Sequence, residues 1–307
     1  MTRYFTSLII QDMKDLQVIV GLPAYNEEKN IAKIILKLQE VTDKIIVCND
    51  GSSDLTGKIA EKMGAIVINH EKNMGYGAAI RSIFLKSKEL DANVLVTFDA
   101  DGQHRVEDIT KILEPIKNDT ADIVIGSRFL DTKSKIPKYR EVGIKTLTSL
   151  ANASTDVKVT DSQSGFRAYN NKVLKEIVPS DYGMGVSTEI LIKANNKKFR
   201  IAEVPITILY EGDTSTHNAV SHGASVILST MKFVSIEHPL KFYGLPGIIF
   251  LAIGLFFIVW TIQEFAHSRQ IITNISLIGI GAIIMGTMLT MTSIMLYSLV
   301  NVVRERR

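Results

Sequence analysis

Up to about residue 215, short apolar runs alternate with polar loops and with stretches of helical spacing. Runs rich in β-branched residues predict strands at Gln17–Leu22, Lys44–Asn49, Ala65–Asn69, Asn93–Asp99, Asp122–Gly126 and Arg200–Leu209. Apolar residues at helical intervals predict helices at Glu27–Leu38, Leu55–Met63, Ala78–Lys88 and Val106–Ile116. Strands alternating with helices imply an α/β fold built on a doubly wound, mostly parallel sheet. Such sheets bind ligands beyond the carboxyl ends of their strands. The residues just after each strand are therefore the ones to inspect.

The C-terminal pattern is different. Neither Phe242–Gln263 nor Ile271–Val303 contains a charged residue. A helix needs about 20 apolar residues to cross a bilayer core, so the two runs predict a transmembrane hairpin with helices at about 244–263 and 275–300. The linker, Glu264–Gln270, is short, which puts both open ends on one side. That side carries Lys232, Lys241, Arg304, Arg306 and Arg307, whereas the linker has only Arg269 offset by Glu264. The positive-inside bias then predicts a two-pass protein of the cell membrane with its N-terminal domain and both termini in the cytoplasm. The first residues hold no apolar run long enough for a secretory signal. The expected domains are 1–221, a juxtamembrane segment 222–243, and the hairpin 244–303. Val226, Ile227, Met231, Val234 and Leu240 roughly follow helical spacing, so the middle segment reads either as an amphipathic helix on the membrane or as a helix packed on the globular domain. Gly279, Gly281 and Gly286 would let helices pack closely, within the hairpin or in a homo-oligomer.

Composition adds little beyond exclusions. With 35 Lys+Arg against 32 Asp+Glu, the net charge of +3 gives no case for nucleic acid. The single cysteine, Cys48, cannot form an internal disulfide and reads as a small buried hydrophobe.

The strand ends carry the chemistry. Asp99-Ala100-Asp101 follows the fourth strand, and residues two apart at a strand end point the same way. Two adjacent carboxylates repel unless a cation lies near them, and hard divalent cations prefer such oxygens. Gln103 adds a neutral oxygen. His104 adjoins them and reads as a solvent-facing loop residue. Asp50 and Asp54 flank Gly51, Ser52 and Ser53, a turn that also caps the next helix. Asn26-Glu27-Glu28 reads as an N-cap followed by first-turn acids. Asn73–Ala79 contains Gly75 and Gly77, but Ile80 stands where a dinucleotide loop has its third glycine, which excludes a nicotinamide site. No P-loop, zinc-protease or serine-hydrolase signature is present.

Pro23-Ala-Tyr-Asn-Glu27, Asn49-Asp-Gly-Ser-Ser-Asp54, Asn73-x-Gly75, Asp99-Ala-Asp-Gly-Gln103, Gly126-Ser-Arg128 and Ser164-Gly-Phe-Arg167 occur in this order. Together they resemble the family 2 glycosyltransferases of GT-A fold, and within them the dolichyl- and polyprenyl-phosphate sugar synthases. The resemblance implies that Pro23, Ala24, Tyr25, Asn26, Glu27, Asp50, Ser52, Asp54, Gly75, Asp99 and Ala100 line a nucleotide-sugar site. It implies that Asp99, Asp101 and Gln103 hold Mg²⁺ or Mn²⁺, that Asp101, Arg128 and Arg140 serve catalysis, and that Ser164 lines the acceptor side. In relatives, a segment like Ile136–Leu150 touches the membrane surface. Where many relatives carry a basic segment, this chain reads Tyr210–His217, leaving His217 or Lys138 as substitutes.

A sugar hydroxyl needs a general base to attack, whereas a phosphate monoester, with a second pKa near about 6, is already anionic. A phosphate acceptor instead needs positive charge on both sides of the reacting centre. The expected activity is inverting transfer from a nucleotide sugar, UDP-GlcNAc or UDP-glucose first, to dolichyl or polyprenyl phosphate for glycan assembly such as N-glycosylation. The rivals are a GDP-mannose donor, a glycolipid hydroxyl acceptor with Asp161 as base, a non-catalytic nucleotide-sugar binder or lipid-sugar flippase, and a nucleotidyltransferase.

Overall fold

The computed structural model describes residues 17–130, 136, 138–153, 155–208, 231, 235, 239–270 and 272–305. It divides into two compact units, Met1–Thr230 and Met231–Arg307.

The first unit is built on a seven-stranded sheet. Its strands are β1 (Val18–Ala24), β2 (Lys44–Asn49), β3 (Ile66–Asn69), β4 (Val94–Thr97), β5 (Ile123–Ser127), β6 (Arg167–Asn170) and β7 (Ile201–Pro205), in the order β3-β2-β1-β4-β6-β5-β7. Its helices are α1 (Ile31–Gln39), α2 (Thr56–Lys62), α3 (Tyr76–Glu89), α4 (Ile109–Lys117), α5 (Lys138–Ala153), α6 (Asn171–Glu176) and α7 (Val186–Asn196). Alternate strand residues face opposite sides. Val18, Val20 and Leu22 pack with Ile31, Ile35 and Leu38 of α1 and Ile109 and Ile112 of α4. Ile19, Ile46 and Leu95 pack with Ile80, Ile83 and Phe84 of α3 and Ile190 and Leu191 of α7. The sheet is thus covered on both faces, as the sequence pattern predicts.

Two departures shape the site. β1 runs on through Pro23 and Ala24, two residues past its expected end. Gly21 O accepts from Phe98 N and Ala24 O from Asp50 N, so alternate residues serve opposite neighbours. Pro23, with no N–H to give, therefore faces the β4 side just beyond the last β1–β4 pair, Gly21↔Thr97, where no ladder bond is forfeited. The second departure is β6, which was not foreseen and which alone runs antiparallel, to both β4 and β5. The chain leaves β5 at the carboxyl edge of the sheet and enters β6 from that same edge, so β6 runs against both neighbours. The reversal delivers Ser164–Phe166 to the rim that carries Asp99. α5, α6 and α7 were likewise not among the expected helices.

In the second unit a π-helical turn, Leu240–Gly244, leads into α8 (Leu245–Ser268), and α9 (Thr273–Glu305) follows. Both helices are long and apolar enough to cross a membrane. They run past the expected ends, taking Glu264 into α8. Ser293 Oγ donates to Pro239 O at 3.0 Å. A Cβ on Gly247 would lie 3.1 Å from Gly286 O, and one on Gly254 would lie 2.9 Å from Gly279 O. The helices cross antiparallel at these two glycine pairs, where only hydrogen fits. Gly281 does not share that role, because a Cβ there would meet nothing within 4 Å. The expected amphipathic helix at 222–243 lies outside the described residues except for 231, 235 and 239–243.

Asp122 ties three strands together at the far edge of the sheet. It accepts from Arg200 N at 2.9 Å, Arg200 Nη2 at 3.0 Å and Asn170 Nδ2 at 2.8 Å. The Arg200 contacts hold its carboxyl down to about 2, against an ordinary value of 3.8. A depressed carboxyl stabilises the fold above its unfolded pKa and loses that stabilisation as pH falls through the folded one. Asp122→Asn is expected to cost about 1–2 kcal/mol at pH 7, discounted for the exposed guanidinium, with the gap to wild type closing between about pH 4 and pH 2. Urea melts across that pH range check it.

Candidate active site

Parallel β1, β2 and β4 end on one edge, so the loops after them meet. Residues 25–30 and 50–56 are stitched to each other. Asn26 N donates to Ser52 Oγ at 3.0 Å and Ser53 N donates to Asn26 Oδ1 at 2.9 Å. Glu27 N donates to Thr56 Oγ1 at 2.8 Å, and Glu28 N to Asp54 Oδ2 at 3.1 Å. Asn26 is in left-handed backbone with φ 56°, so it is not the expected N-cap. Asn30 takes that position. Asparagine tolerates the left-handed region, and the bonds across to the second loop hold it there. Leu55, not Ser53 or Asp54, holds the cap position of the next helix, and Asp54 Oδ1 accepts from Thr56 N at 3.0 Å just ahead of it. Burial tends to raise Asp54, but its bonds from Thr56 and Glu28 outweigh that and hold it low. Of the first motif, Pro23 and Ala24 are buried in β1, while Tyr25 is 39% exposed at the rim. Glu27 is pushed up, by burial first and then by the charges of Asp101, Asp54 and Asp99, while its Oε2 accepts from Asn30 Nδ2 at 2.9 Å.

Asp50 is buried and fully engaged. Its Oδ1 lies 2.6 Å from His70 Nδ1 and accepts from Met74 N at 2.9 Å, and its Oδ2 accepts from Gly75 N at 2.9 Å. His70 Nε2 in turn lies 2.8 Å from Ser82 Oγ and 3.5 Å from Cys48 Sγ. Burial, then Asp50, pushes the Cys48 thiol up to about 12, which leaves it an inert filler. Asp50 therefore shapes the loop into α3 in this structure. The glycines of that loop admit a second one. Gly75 has φ 100°, and a Cβ on it would lie 2.4 Å from Tyr182 O. A Cβ on Gly77 would lie 2.1 Å from Asp181 O, and Gly77 N donates to Tyr182 O at 3.0 Å. The glycine cluster that superficially resembles a dinucleotide loop is a seat for residues 181–183.

β4 stops at Thr97; Phe98 and Ala100 are buried, while Asp99 and Asp101 are partly exposed. Tyr76 Oη donates to Asp99 Oδ1 at 3.2 Å, and His104 Nε2 lies 3.1 Å from Asp99 Oδ2. His104 is not solvent-facing: its side chain is 5% exposed, enclosed by Phe98 and Phe166. Burial opposes ionisation of Asp99, but His104 and Tyr76 more than offset it and hold this carboxyl low. Among the described residues, Gln103 N donates to Asp101 at 3.0 Å, and burial and the Asp99 charge push its carboxyl up. Among the described residues, no three His, Cys, Asp or Glu side chains converge as a metal cage. The pair with the Gln103 amide is instead a partial set of hard oxygen donors carrying uncompensated charge, which suits Mg²⁺ or Mn²⁺ and leaves room for ligand oxygens.

On the β6 side, Ser164 is buried and its Oγ has no partner among the described residues. Gly165 lies against Asp99 and Tyr76. Arg167 is buried and donates to the carbonyls of Ser162, Ser164 and Ser187, which fixes the loop before β6. Arg128 does not stand alone beside this loop. Its Nε and Nη2 donate to Asp161 at 2.6 and 2.7 Å. Asp161 is fully buried, and Glu203 of β7 braces its backbone N–H at 3.0 Å. Arg140 and Lys138 fall in α5 with side chains outside the described set, and 210–217 is outside the described residues.

The sequence profile for glycosyl transferase family 2 matches residues 19–178. The chain belongs to this family. A UDP-N-acetylglucosamine–dolichyl-phosphate N-acetylglucosaminyltransferase of Methanococcus voltae is 36% identical over 70% of this chain and 93% of its own. A dolichyl-phosphate hexose transferase of Haloferax volcanii is 34% identical over 74% of this chain and 96% of its own. Among solved structures, glucosyl-3-phosphoglycerate synthase of Mycobacterium tuberculosis, in complex with Mn²⁺, UDP-glucose and phosphoglyceric acid, superposes with a TM-score of 0.60 at 18% identity, covering 75% of this chain and 84% of the other. That likeness is one of fold.

In this glycosyltransferase the strand-end motifs do converge, but several residues that position them escaped the sequence reading. Tyr76 and His104 hold Asp99, and Asp161 holds Arg128. Gly165 has the sharpest consequence. A Cβ there would lie 2.6 Å from both Asp99 oxygens and from Tyr76 Oη. Gly165→Ala is expected to lower glycosyl transfer by about 100-fold, because it displaces Asp99, while costing only about 1–3 kcal/mol of stability. Transfer assays beside thermal melts check it.

Proposed function

We propose that this glycosyltransferase moves a sugar from a nucleotide sugar to the phosphate of a dolichyl or polyprenyl phosphate at a membrane surface. The observation that carries the reading is the state of Asp161. Transfer to a glycolipid hydroxyl would need this carboxylate as a base, yet it is fully buried and gripped on both oxygens by Arg128. A phosphate acceptor arrives already ionised and needs no such base. The names of the two relatives above, each matched over more than nine-tenths of its own length, support the same acceptor.

Asp99, Asp101 and Gln103 would hold Mg²⁺ or Mn²⁺, which when bound neutralises charge on the departing diphosphate. Tyr76 and His104 keep Asp99 in place, so the pair does not reorganise as that charge develops. The stitched loops at 25–30 and 50–56, with Tyr25 and Glu27, form the nucleoside side. Arg128, already set in the bidentate grip of Asp161, and Arg140 of α5 supply positive charge for the incoming phosphate. The acceptor oxygen attacks the anomeric carbon, the bond from that carbon to the diphosphate oxygen breaks, and the configuration inverts. A UDP-linked donor, GlcNAc or glucose, is favoured over GDP-mannose, on the support of the name carried by the Methanococcus relative. α8 and α9 anchor the chain in the bilayer where a polyprenyl acceptor resides, with the catalytic unit and both termini on the cytoplasmic side.

Purified full-length protein with Mg²⁺, a polyprenyl phosphate and labelled UDP-GlcNAc, UDP-glucose or GDP-mannose tests this. A labelled lipid is expected with a UDP-sugar, reduced about 100-fold or more by Asp101→Asn and less by Asp161→Asn. The rate should fall about tenfold per unit below roughly pH 6 as the acceptor phosphate protonates. No labelled lipid with any donor, or loss in Asp161→Asn exceeding that in Asp101→Asn, overturns the reading.

A further inference from the structure

Among the described residues, His104 has one hydrogen-bond contact, to Asp99, and sits in an apolar slot. Its ring lies edge-on to Phe98, centroids 5.5 Å apart, and tilted against Phe166 at 5.1 Å. Phe98 and Phe166 themselves meet edge-to-face at 5.1 Å, so the three rings form a cluster. The Nε2 that lies 3.1 Å from Asp99 Oδ2 must carry the ring hydrogen, because an ionised carboxylate only accepts. Nδ1, on the other side of the ring, is buried with no partner among the described residues. An unsatisfied buried polar atom costs about 1–3 kcal/mol. A phenylalanine would fill the same slot without that cost. Packing therefore does not account for an imidazole here, and its single bond to Asp99 does.

That bond matters because of what surrounds Asp99. Tyr76 Oη alone, at 3.2 Å on the other oxygen, would leave the carboxylate one neutral tether. Gly165 packs close on the third side but has no side chain that could donate. With both donors present the carboxylate is held at both oxygens. The cluster also joins two parts of the site, since Phe166 enters β6 from the loop that carries Ser164, while Phe98 ends the β4 segment that carries Asp99.

We propose that His104 is a positioning residue for the cation and diphosphate site: its Nε2–H fixes the rotation of the Asp99 carboxylate beside Asp101. This rests on the reading of Asp99 and Asp101 as cation ligands. Partners that orient the ligands of a metal site are worth about 10–100-fold in metal affinity when removed.

His104→Phe keeps an aromatic ring in the slot and deletes the donor. His104→Gln restores an N–H of similar reach. The readout is Mn²⁺ affinity of the full-length protein in detergent, measured by calorimetry with saturating UDP and, in parallel, GDP, next to the melting temperature. His104→Phe is expected to bind Mn²⁺ about 10–100-fold more weakly with an unchanged or higher melting temperature, and His104→Gln to recover part of the affinity. Wild-type Mn²⁺ affinity in His104→Phe overturns the proposal. So does a His104→Gln variant that melts like wild type but recovers none of the affinity. If wild type transfers no sugar from any donor yet His104→Phe still weakens Mn²⁺ binding, the proposed function falls and this inference stands. Transfer by wild type with unaltered Mn²⁺ affinity in His104→Phe has the opposite meaning.

Discussion

Two carboxylates two positions apart, just beyond a buried strand, cannot both stay ionised without help. The structure divides the help unequally. Asp99 receives Tyr76 and His104 and is held low, while Asp101 receives one backbone N–H and is pushed up. The asymmetry leaves charge that a divalent cation would satisfy. Much of the surrounding architecture serves this arrangement. β6 reverses so that Gly165 comes against Asp99, α3 begins with Tyr76 at the right height, and Phe98 and Phe166 enclose the imidazole.

The same economy runs through the other loops. Residues named as ligand contacts on the strength of their motifs spend most of their hydrogen-bonding capacity on one another. Asn26, Ser52 and Asp54 join two loops, and Asp50 anchors a third through His70, Met74 and Gly75. A site assembled from loops on separate strands needs such cross-links to stay preorganised, which is where electrostatic catalysis gets its advantage. Arg128 follows the rule: its guanidinium is set by Asp161, which Glu203 braces from β7.

What was legible from sequence follows from what is local. β1, β2, β4 and β5 announce themselves by β-branched runs, and α8 and α9 by uninterrupted apolar residues. The Asp99–Asp101 pair is legible because two acids with one residue between them directly follow a strongly apolar strand. β6 reads Arg-Ala-Tyr-Asn, with no β-branched residue, and is a strand only because β4 and β5 flank it. His104 looks like a loop residue because the ring that closes over it, Phe166, is remote in the chain. Asn26 obeys the local rule for a helix cap, yet bonds to Ser52 and Ser53 draw it into left-handed backbone. The Arg128–Asp161 pair spans 33 positions with no periodicity to betray it.

The central claim is that Asp101, beside a restrained Asp99, is where this glycosyltransferase takes its cation. The most direct measurement is anomalous diffraction at the manganese edge from crystals grown with Mn²⁺ and a nucleoside diphosphate. One anomalous peak bound to the Asp101 carboxylate and shared with the diphosphate is the predicted result. A nucleotide seated at the carboxyl ends of β1, β2 and β4 with the manganese peak elsewhere, or with no peak, would contradict it.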